Sequence, residues 1–226
     1  MTSNNREFST DFKCIIFDCD GVLVDSESLS SELLLEMSRE CGFEVSADPM
    51  MEQFHGVSLH TCLQFIENAN DGKKLPENFE REFRRRSFEV FRQRLQPVRG
   101  IKELLPKISK PFCVASSGPR EKIELNLSIT GLFKFFKDKI FSSYDIGSWK
   151  PDPGIFLHAA ESMGFHPSDC VVVEDSRAGI EAAIRGGFQV WHFAGAISTL
   201  PAICGDANVS GRIVTFQQMN ELEILI

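Results

Sequence analysis

Cys14-Ile15-Ile16-Phe17-Asp18-Cys19-Asp20-Gly21-Val22-Leu23-Val24-Asp25-Ser26 is the stretch that decides the fold. The apolar run Cys14 to Phe17 has the length of a buried strand, and it delivers two carboxylates, Asp18 and Asp20, two residues apart. Alternate side chains of a strand point to opposite faces, but a chain leaving the strand through Gly21 can turn and bring both acids toward one reacting atom. One acid can then be a nucleophile and the other a proton donor, with a divalent cation holding down their repulsion. A strand that merely ends in a polar turn would carry the same two acids, so the rest of the chain has to separate these readings.

Outward from this stretch, short apolar runs recur at Phe112 to Ala115, Lys139 to Phe141, Cys170 to Val173, Gln189 to Trp191 and Arg212 to Val214. Helical spacing of apolar residues predicts helices over Pro119 to Ile129, Pro153 to Met163 and Ser176 to Arg185, the last with Ser176 as N-cap and Gly186-Gly187 as its stop. Strands alternating with helices predict an α/β fold, a Rossmann-like three-layer core with a mostly parallel sheet, in which ligands gather at the carboxyl ends of the strands. Between Glu27 and Gln96 the alternation stops, and Ser28 to Cys41, Leu59 to Ala69 and Pro76 to Leu95 all favour helix. About 70 residues of helix between two strands read as an inserted α-helical subdomain, with Asp25-Ser26-Glu27 and Pro97-Val98-Arg99-Gly100 as its hinges. After Gly195 the pattern predicts an edge strand at Arg212 to Phe216 and a short terminal helix.

Composition narrows the classes. At 226 residues, with 42% apolar and 25% charged residues, the chain is an ordinary globular sequence with room for a sizeable core. A formal charge of −8 argues against a nucleic-acid or anionic-membrane partner, so attraction to a phosphate has to be local. The arginines of Arg81 to Arg94 interleave with Phe79, Phe83 and Phe91 and are diluted by Glu80, Glu82 and Glu89, which reads as a solvated helix face. Cys14, Cys19, Cys41, Cys62, Cys113, Cys170 and Cys204 are scattered, odd in number and without a CxxC pair, so neither zinc site nor disulfide framework is expected. Polar Met1 to Asp11 lacks a signal-like apolar stretch, and the expectation is a cytoplasmic protein with no membrane span.

Three further segments carry candidate chemistry. Val114-Ala115-Ser116-Ser117-Gly118-Pro119 is a strand ending in hydroxyls ahead of a helix start, suited to an anion or simply to an N-cap. In Ser148-Trp149-Lys150-Pro151-Asp152-Pro153 the prolines stiffen the loop, making Lys150 either a fixed point charge or ordinary solvated surface. Val171-Val172-Val173-Glu174-Asp175-Ser176 is a wholly apolar strand ending in two carboxylates; N-capping would account for Asp175 but less well for Glu174. Asp18, Asp20 and Asp175 together supply the oxygen ligands that suit Mg²⁺.

In this order, the four segments resemble the haloacid dehalogenase-like hydrolase superfamily from Cys14 to about Phe193. The helical insert resembles that family's C1 cap, which divides the chain into a core of 1–25 and 98–226 and a cap of 26–97. SSGP and SYDIGSWKPDP are most similar to its bacterial sugar-phosphate phosphatases, 6-phosphogluconate phosphatases included. The resemblance implies that Asp18 is the nucleophile, forming an aspartyl-phosphate, and that Asp20 protonates the leaving alkoxide and then takes a proton from water. It implies Mg²⁺ held by the Asp18 and Asp175 side chains and the Asp20 carbonyl, with Glu174 holding metal-bound water. Ser116, Ser117 and Lys150 would bind the phosphoryl oxygens. The implied substrate is a small phosphorylated metabolite, a sugar phosphate or phosphorylated sugar acid, and a monomer is the default because the cap closes over its own core.

Rivals on this scaffold fit less well. A dehalogenase needs neither metal nor an acid at Asp20, and a phosphonate hydrolase resembles a form with alanine there. A β-phosphoglucomutase shares the core motifs, but sequences of that kind carry a histidine where this chain has Ser30 and an arginine after GVS where it has Leu59. A phosphate-binding module without turnover would be expected to lose Asp18, which is present. The loop Phe54-His55-Gly56-Val57-Ser58 is the expected determinant of substrate choice, although His55 reads equally well as a surface histidine.

Overall fold

The computed structural model describes residues 11–46, 54, 59–195 and 213–224. Within them the chain divides into two compact units, Met1–Val24 with Pro97–Ile226 and Asp25–Gln96.

The first unit is built on a six-stranded sheet whose paired strands are all parallel: β1 (Cys14–Phe17), β2 (Phe112–Ser116), β3 (Ile140–Ser142), β4 (Cys170–Glu174), β5 (Gln189–Phe193) and β6 (Ile213–Phe216), in the order β3-β2-β1-β4-β5-β6. β1, β2 and β4 are buried along their whole length, which explains their unbroken apolar runs: a parallel strand covered on both faces has no solvent side to mark. Phe17 lies in register with Val114 on one side and Val173 on the other, so the residues after all three strands emerge at the same edge.

The two faces have separate cores. Alternation sends Cys14 and Ile16 to one face, where they pack with helices α8 (Gly154–Ser162) and α9 (Arg177–Arg185) through Ile155, Phe156, Ile180 and Ala183. On the other face Phe17, Phe112 and Phe136 meet edge to face at centroid separations of 5.3–6.3 Å. Phe136 comes from the single-turn helix α6 (Phe133–Phe136), which follows α5 (Arg120–Ile129). Two other single turns, α4 (Ile101–Leu104) and α7 (Ser143–Ile146), and 3-10 turns at Leu105–Lys107, Pro167–Asp169 and Met219–Ile224 also lie among the described residues of this unit.

The second unit contains α1 (Glu27–Glu40), α2 (Leu59–Ala69) and α3 (Phe79–Arg94) around Leu33, Leu34, Met37, Cys62, Ile66 and Phe83. Four of the six α3 arginines are paired with acids: Arg84 with Glu80, Arg85 with Glu82 and Glu89, Arg86 with Glu40 and Glu82, and Arg94 with Glu32. Exposed pairs of this kind add little stability individually, but they leave the helix face solvated rather than cationic.

The strands and long helices fall within a few residues of where periodicity puts them. β2, β4 and β5 run one or two residues past the apolar stretch because Ser116, Glu174 and His192-Phe193 still pair along the ladder. β3 begins at Ile140 rather than Lys139, and α3 at Phe79 rather than Pro76, where a turn closes from the Phe79 N–H to the Pro76 carbonyl at 2.8 Å. The single turns were not anticipated, being too short to show a helical period. Among the described residues, no helix is long and apolar enough to cross a membrane.

Ile66 is fully buried in the helical unit. Ile66→Ala is expected to cost about 2–5 kcal/mol, read as a lower midpoint in urea unfolding; an unchanged midpoint would contradict this account of that core.

Candidate active site

The site forms where β1, β2 and β4 end together. The Asp18 N–H donates to the Val173 carbonyl at 2.9 Å, so Asp18 is still held in the ladder when its side chain leaves the sheet. The chain then folds back at once: Leu23 and Val24 N–H groups donate to the Cys19 carbonyl at 2.9 and 3.1 Å, and the Gly21 N–H to the Val24 carbonyl at 2.9 Å. Gly21 has φ +78°, and a Cβ there would overlap the Asp175 carboxylate. Glycine is thus required twice at this position, by the turn and by the approach of the second acid strand.

From β4, Glu174 turns inward with no exposure. Its Oε1 accepts from the Ser176 N–H at 3.0 Å and the Ser176 hydroxyl at 2.6 Å, while the Ser176 hydroxyl accepts the Gly179 N–H at 3.1 Å and caps α9. Gly179 is the second position where size decides, because a Cβ there would strike the Glu174 carboxylate. Ser176, not Asp175, is the cap, which leaves Asp175 with Asp18 and Glu174: carboxylate oxygens of the three lie within 4.8 Å of one another, and all three residues are buried.

Lys150 reaches this cluster from the loop before α8. Its Nζ donates to Asp18 Oδ1 at 2.5 Å and Glu174 Oε2 at 2.7 Å, and lies 4.8 Å from the centre of the Phe156 ring. The loop itself is tied by Asp152, whose Oδ1 accepts from the Ser148 hydroxyl and, at 2.9 Å, from the Gly154 N–H. The lysine side chain is only 6% exposed, so it is a fixed charge and not solvated surface.

Electrostatics inside the cluster are uneven. Burial, then the Glu174 carboxylate, hold the Asp18 carboxyl well above the usual carboxylate range, against the pull of Lys150. Burial pulls Lys150 down, but Asp18 and Glu174 together more than offset it and keep the ammonium above the ordinary lysine range. These directions are consistent: one ammonium shared between two carboxylates is well satisfied, while each carboxylate keeps its neighbour's repulsion. Nearby, Lys122 Nζ donates to Asp20 Oδ2 at 2.8 Å, and Asn126 Nδ2 lies 3.5 Å from Oδ1. Four carboxylates, Asp18, Asp20, Glu174 and Asp175, thus face two ammonium groups, Lys150 and Lys122. With all four ionised, the excess of two negative charges is what a hard divalent cation such as Mg²⁺ offsets, and the donor set fits one.

Of the residues singled out from sequence, the structure gathers Asp18, Lys150, Glu174 and Asp175 into one cluster, with Asp20 on the turn beside it. Ser116 is buried at the end of the adjacent strand, its hydroxyl turned into its own loop to accept the Gly118 N–H at 3.1 Å; Ser117 follows half-buried. That loop is braced from β3, where the Ser142 hydroxyl donates to the Gly118 carbonyl at 2.7 Å. His55 lies outside the described residues. Lys122, Asn126 and Gly179 were missed; the available signal was Asn126, a polar residue beside the apolar positions Ile123 and Leu127 of the predicted helix.

A family model described as haloacid dehalogenase-like hydrolase matches residues 12–187. A 6-phosphogluconate phosphatase of Escherichia coli is 31% identical over 210 residues, covering 93% of this chain and 92% of that protein. A phosphorylated carbohydrates phosphatase of Thermotoga maritima is 29% identical over 180 residues, covering 78% of this chain and 82% of its own length. Among solved structures, a conserved haloacid dehalogenase-like protein of unknown function from Agrobacterium tumefaciens superposes with a TM-score of 0.81 at 31% identity, over 95% of this chain and 97% of that one.

Gly179→Ala should push the Glu174 carboxylate out of place and weaken divalent-cation binding by about 10–100-fold, as for other groups that support metal ligands. Titration with Mn²⁺ followed by electron paramagnetic resonance reads this directly. Wild-type affinity in the folded variant would contradict the role given to the Glu174 contact.

Proposed function

Since the chain belongs to the haloacid dehalogenase-like hydrolase family and is a phosphoric monoester hydrolase, we propose that it cleaves a small phosphorylated metabolite, a sugar phosphate or phosphorylated sugar acid, through an aspartyl-phosphate on Asp18. The observation that carries this reading is the Asp18 carboxylate held at a buried strand end by Lys150, beside Glu174 and Asp175 and two residues before Asp20. The substrate class rests on the two relatives named for phosphorylated sugars and sugar acids.

Each residue has a physical task. An anionic nucleophile approaching a phosphoryl dianion is repelled, so catalysis depends on positioning and on cations placed in advance. Lys150 fixes the direction of the Asp18 carboxylate and brings a positive charge to the place where the phosphoryl group arrives. Asp18 attacks phosphorus; Asp20 gives its proton to the departing alkoxide and afterwards takes one from the water that hydrolyses the aspartyl-phosphate. Ser116, Ser117 and the braced Gly118 loop offer hydroxyl and N–H groups to the phosphoryl oxygens. Mg²⁺ bound by the Asp18 and Asp175 carboxylates and the Asp20 carbonyl, with Glu174 alongside, would offset the charge gathered on the phosphoryl oxygens. The helical unit is assigned the part of a cap that selects the leaving group and excludes water. The six described cysteines are free thiols, which supports a cytoplasmic setting.

The test is Mg²⁺-dependent phosphate release from a panel of sugar phosphates, phosphorylated sugar acids and nucleotides. Release with highest kcat/KM on a phosphorylated sugar or sugar acid is expected, and preference for nucleotides would overturn the substrate class. Asp18→Asn should abolish turnover while the protein stays folded; retained activity removes the proposed nucleophile. Ca²⁺ should inhibit by competing with Mg²⁺ in a looser, higher coordination, and equal rates with the two ions would contradict the metal assignment.

A further inference from the structure

We propose that Lys122 is a positioning residue for proton transfer by Asp20, with Asn126 assisting from the next turn of the same helix. This rests on the reading of Asp20 as the general acid.

The geometry is specific to this carboxylate. Asp20 lies half-buried at the start of the turn after β1, its side chain 25% exposed, so the direction of its carboxylate is set by the groups packed around it. Lys122 Nζ holds Oδ2 at 2.8 Å and Asn126 Nδ2 stands 3.5 Å from Oδ1, so both oxygens face side chains from α5. Lys122 and Asn126 are four residues apart, one above the other on a helix face, and their neighbours Ile123 and Leu127 are buried in the core. Asn126 itself is fully buried, whereas an asparagine in mid-helix without a task is normally on the solvent side.

The helix that presents them is anchored independently. Arg120, at its start, donates to the Ile140 carbonyl at 2.9 Å and to Asp145 Oδ2 at 2.6 Å. Ser142 braces the Gly118 loop that leads into it, and a Cβ placed on Gly118 would come 3.6 Å from Lys122 Cδ, so the lysine stem runs close over that loop. Lys122 is distinct from Lys150 in this arrangement. Lys150 contacts the nucleophile, whereas Lys122 contacts the group that must give a proton to the leaving alkoxide.

Asp18 forms a bond to phosphorus, the phosphorus–alkoxide bond breaks with its electron pair on oxygen, and that oxygen takes the Asp20 proton, leaving an Asp20 carboxylate. Lys122 keeps this carboxylate pointed at the leaving oxygen and places a positive charge beside the negative charge that forms.

Leaving-group dependence separates this role from a structural one. A p-nitrophenolate departs without a proton, whereas a sugar alkoxide does not, and kcat/KM reports only steps up to formation of the aspartyl-phosphate. Lys122→Met is expected to lower kcat/KM for the sugar phosphate about 10–100-fold more than for p-nitrophenyl phosphate, a part of the roughly 10²–10⁴-fold that a positioned acid contributes. Lys122→Arg should recover part of the loss, and Lys122→Met placed in Asp20→Asn should add no further selectivity. Lys122→Gln, which retains a donor toward Asp20, gives the same selectivity in smaller measure and serves if the Met variant does not fold. Equal losses on both esters, or no loss, overturn the assignment. Asp20→Asn that shows no leaving-group selectivity overturns the reading of Asp20 instead, and the Lys122 proposal falls with it.

Discussion

A single ammonium, Lys150, shared between two buried carboxylates sets the terms for the rest of the site. Its Nζ lies between Asp18 and Glu174, which belong to neighbouring central strands, and almost none of it reaches solvent. Removing charges from water is costly unless each is paired and hydrogen-bonded, and here one cation answers two anions while Asp175 adds a third. The remaining negative charge is the reason a divalent cation fits, and after burial it is what makes Asp18 resist ionisation. A site of this kind is built to have its charge completed by ligands.

The sheet makes this arrangement possible. Parallel strands in register bring Asp18, Ser116 and Glu174 to one edge, and the tight turn after β1 and the cap of α9 aim the side chains there. Two glycines, Gly21 and Gly179, leave room for carboxylates that any side chain would displace. Asp18 and Asp20 are held by different lysines on different segments, Lys150 from the loop before α8 and Lys122 from α5.

Legibility in the sequence followed the range of the interaction. Asp18, Asp20, Glu174 and Asp175 were readable because they lie at or within three residues of the end of an apolar run that reads as a buried strand, so local pattern fixed their place. Lys150 was readable from its order among the other segments, but whether it was buried was not: the contact to Asp18 spans 132 residues. Lys122 left no local trace, since a lysine on an amphipathic helix is ordinarily solvated and its partner is 102 residues away. Gly179 was equally silent, because the demand for a glycine comes from the Glu174 side chain, which folds back over the first turn of α9. Strand and long-helix positions were legible to within a few residues, whereas single-turn helices fell below the length that shows a period.

The most direct measurement is the location of the phosphoryl group during turnover. The enzyme is quenched in acid while consuming a sugar phosphate in the presence of Mg²⁺, reduced with borohydride to convert any aspartyl-phosphate to homoserine, and mapped by peptide mass spectrometry. Homoserine at position 18, absent when Mg²⁺ is withheld, is the predicted result. Phosphate release in the first part of the time course with no modification at position 18, or with the modification at another acid, would contradict the account.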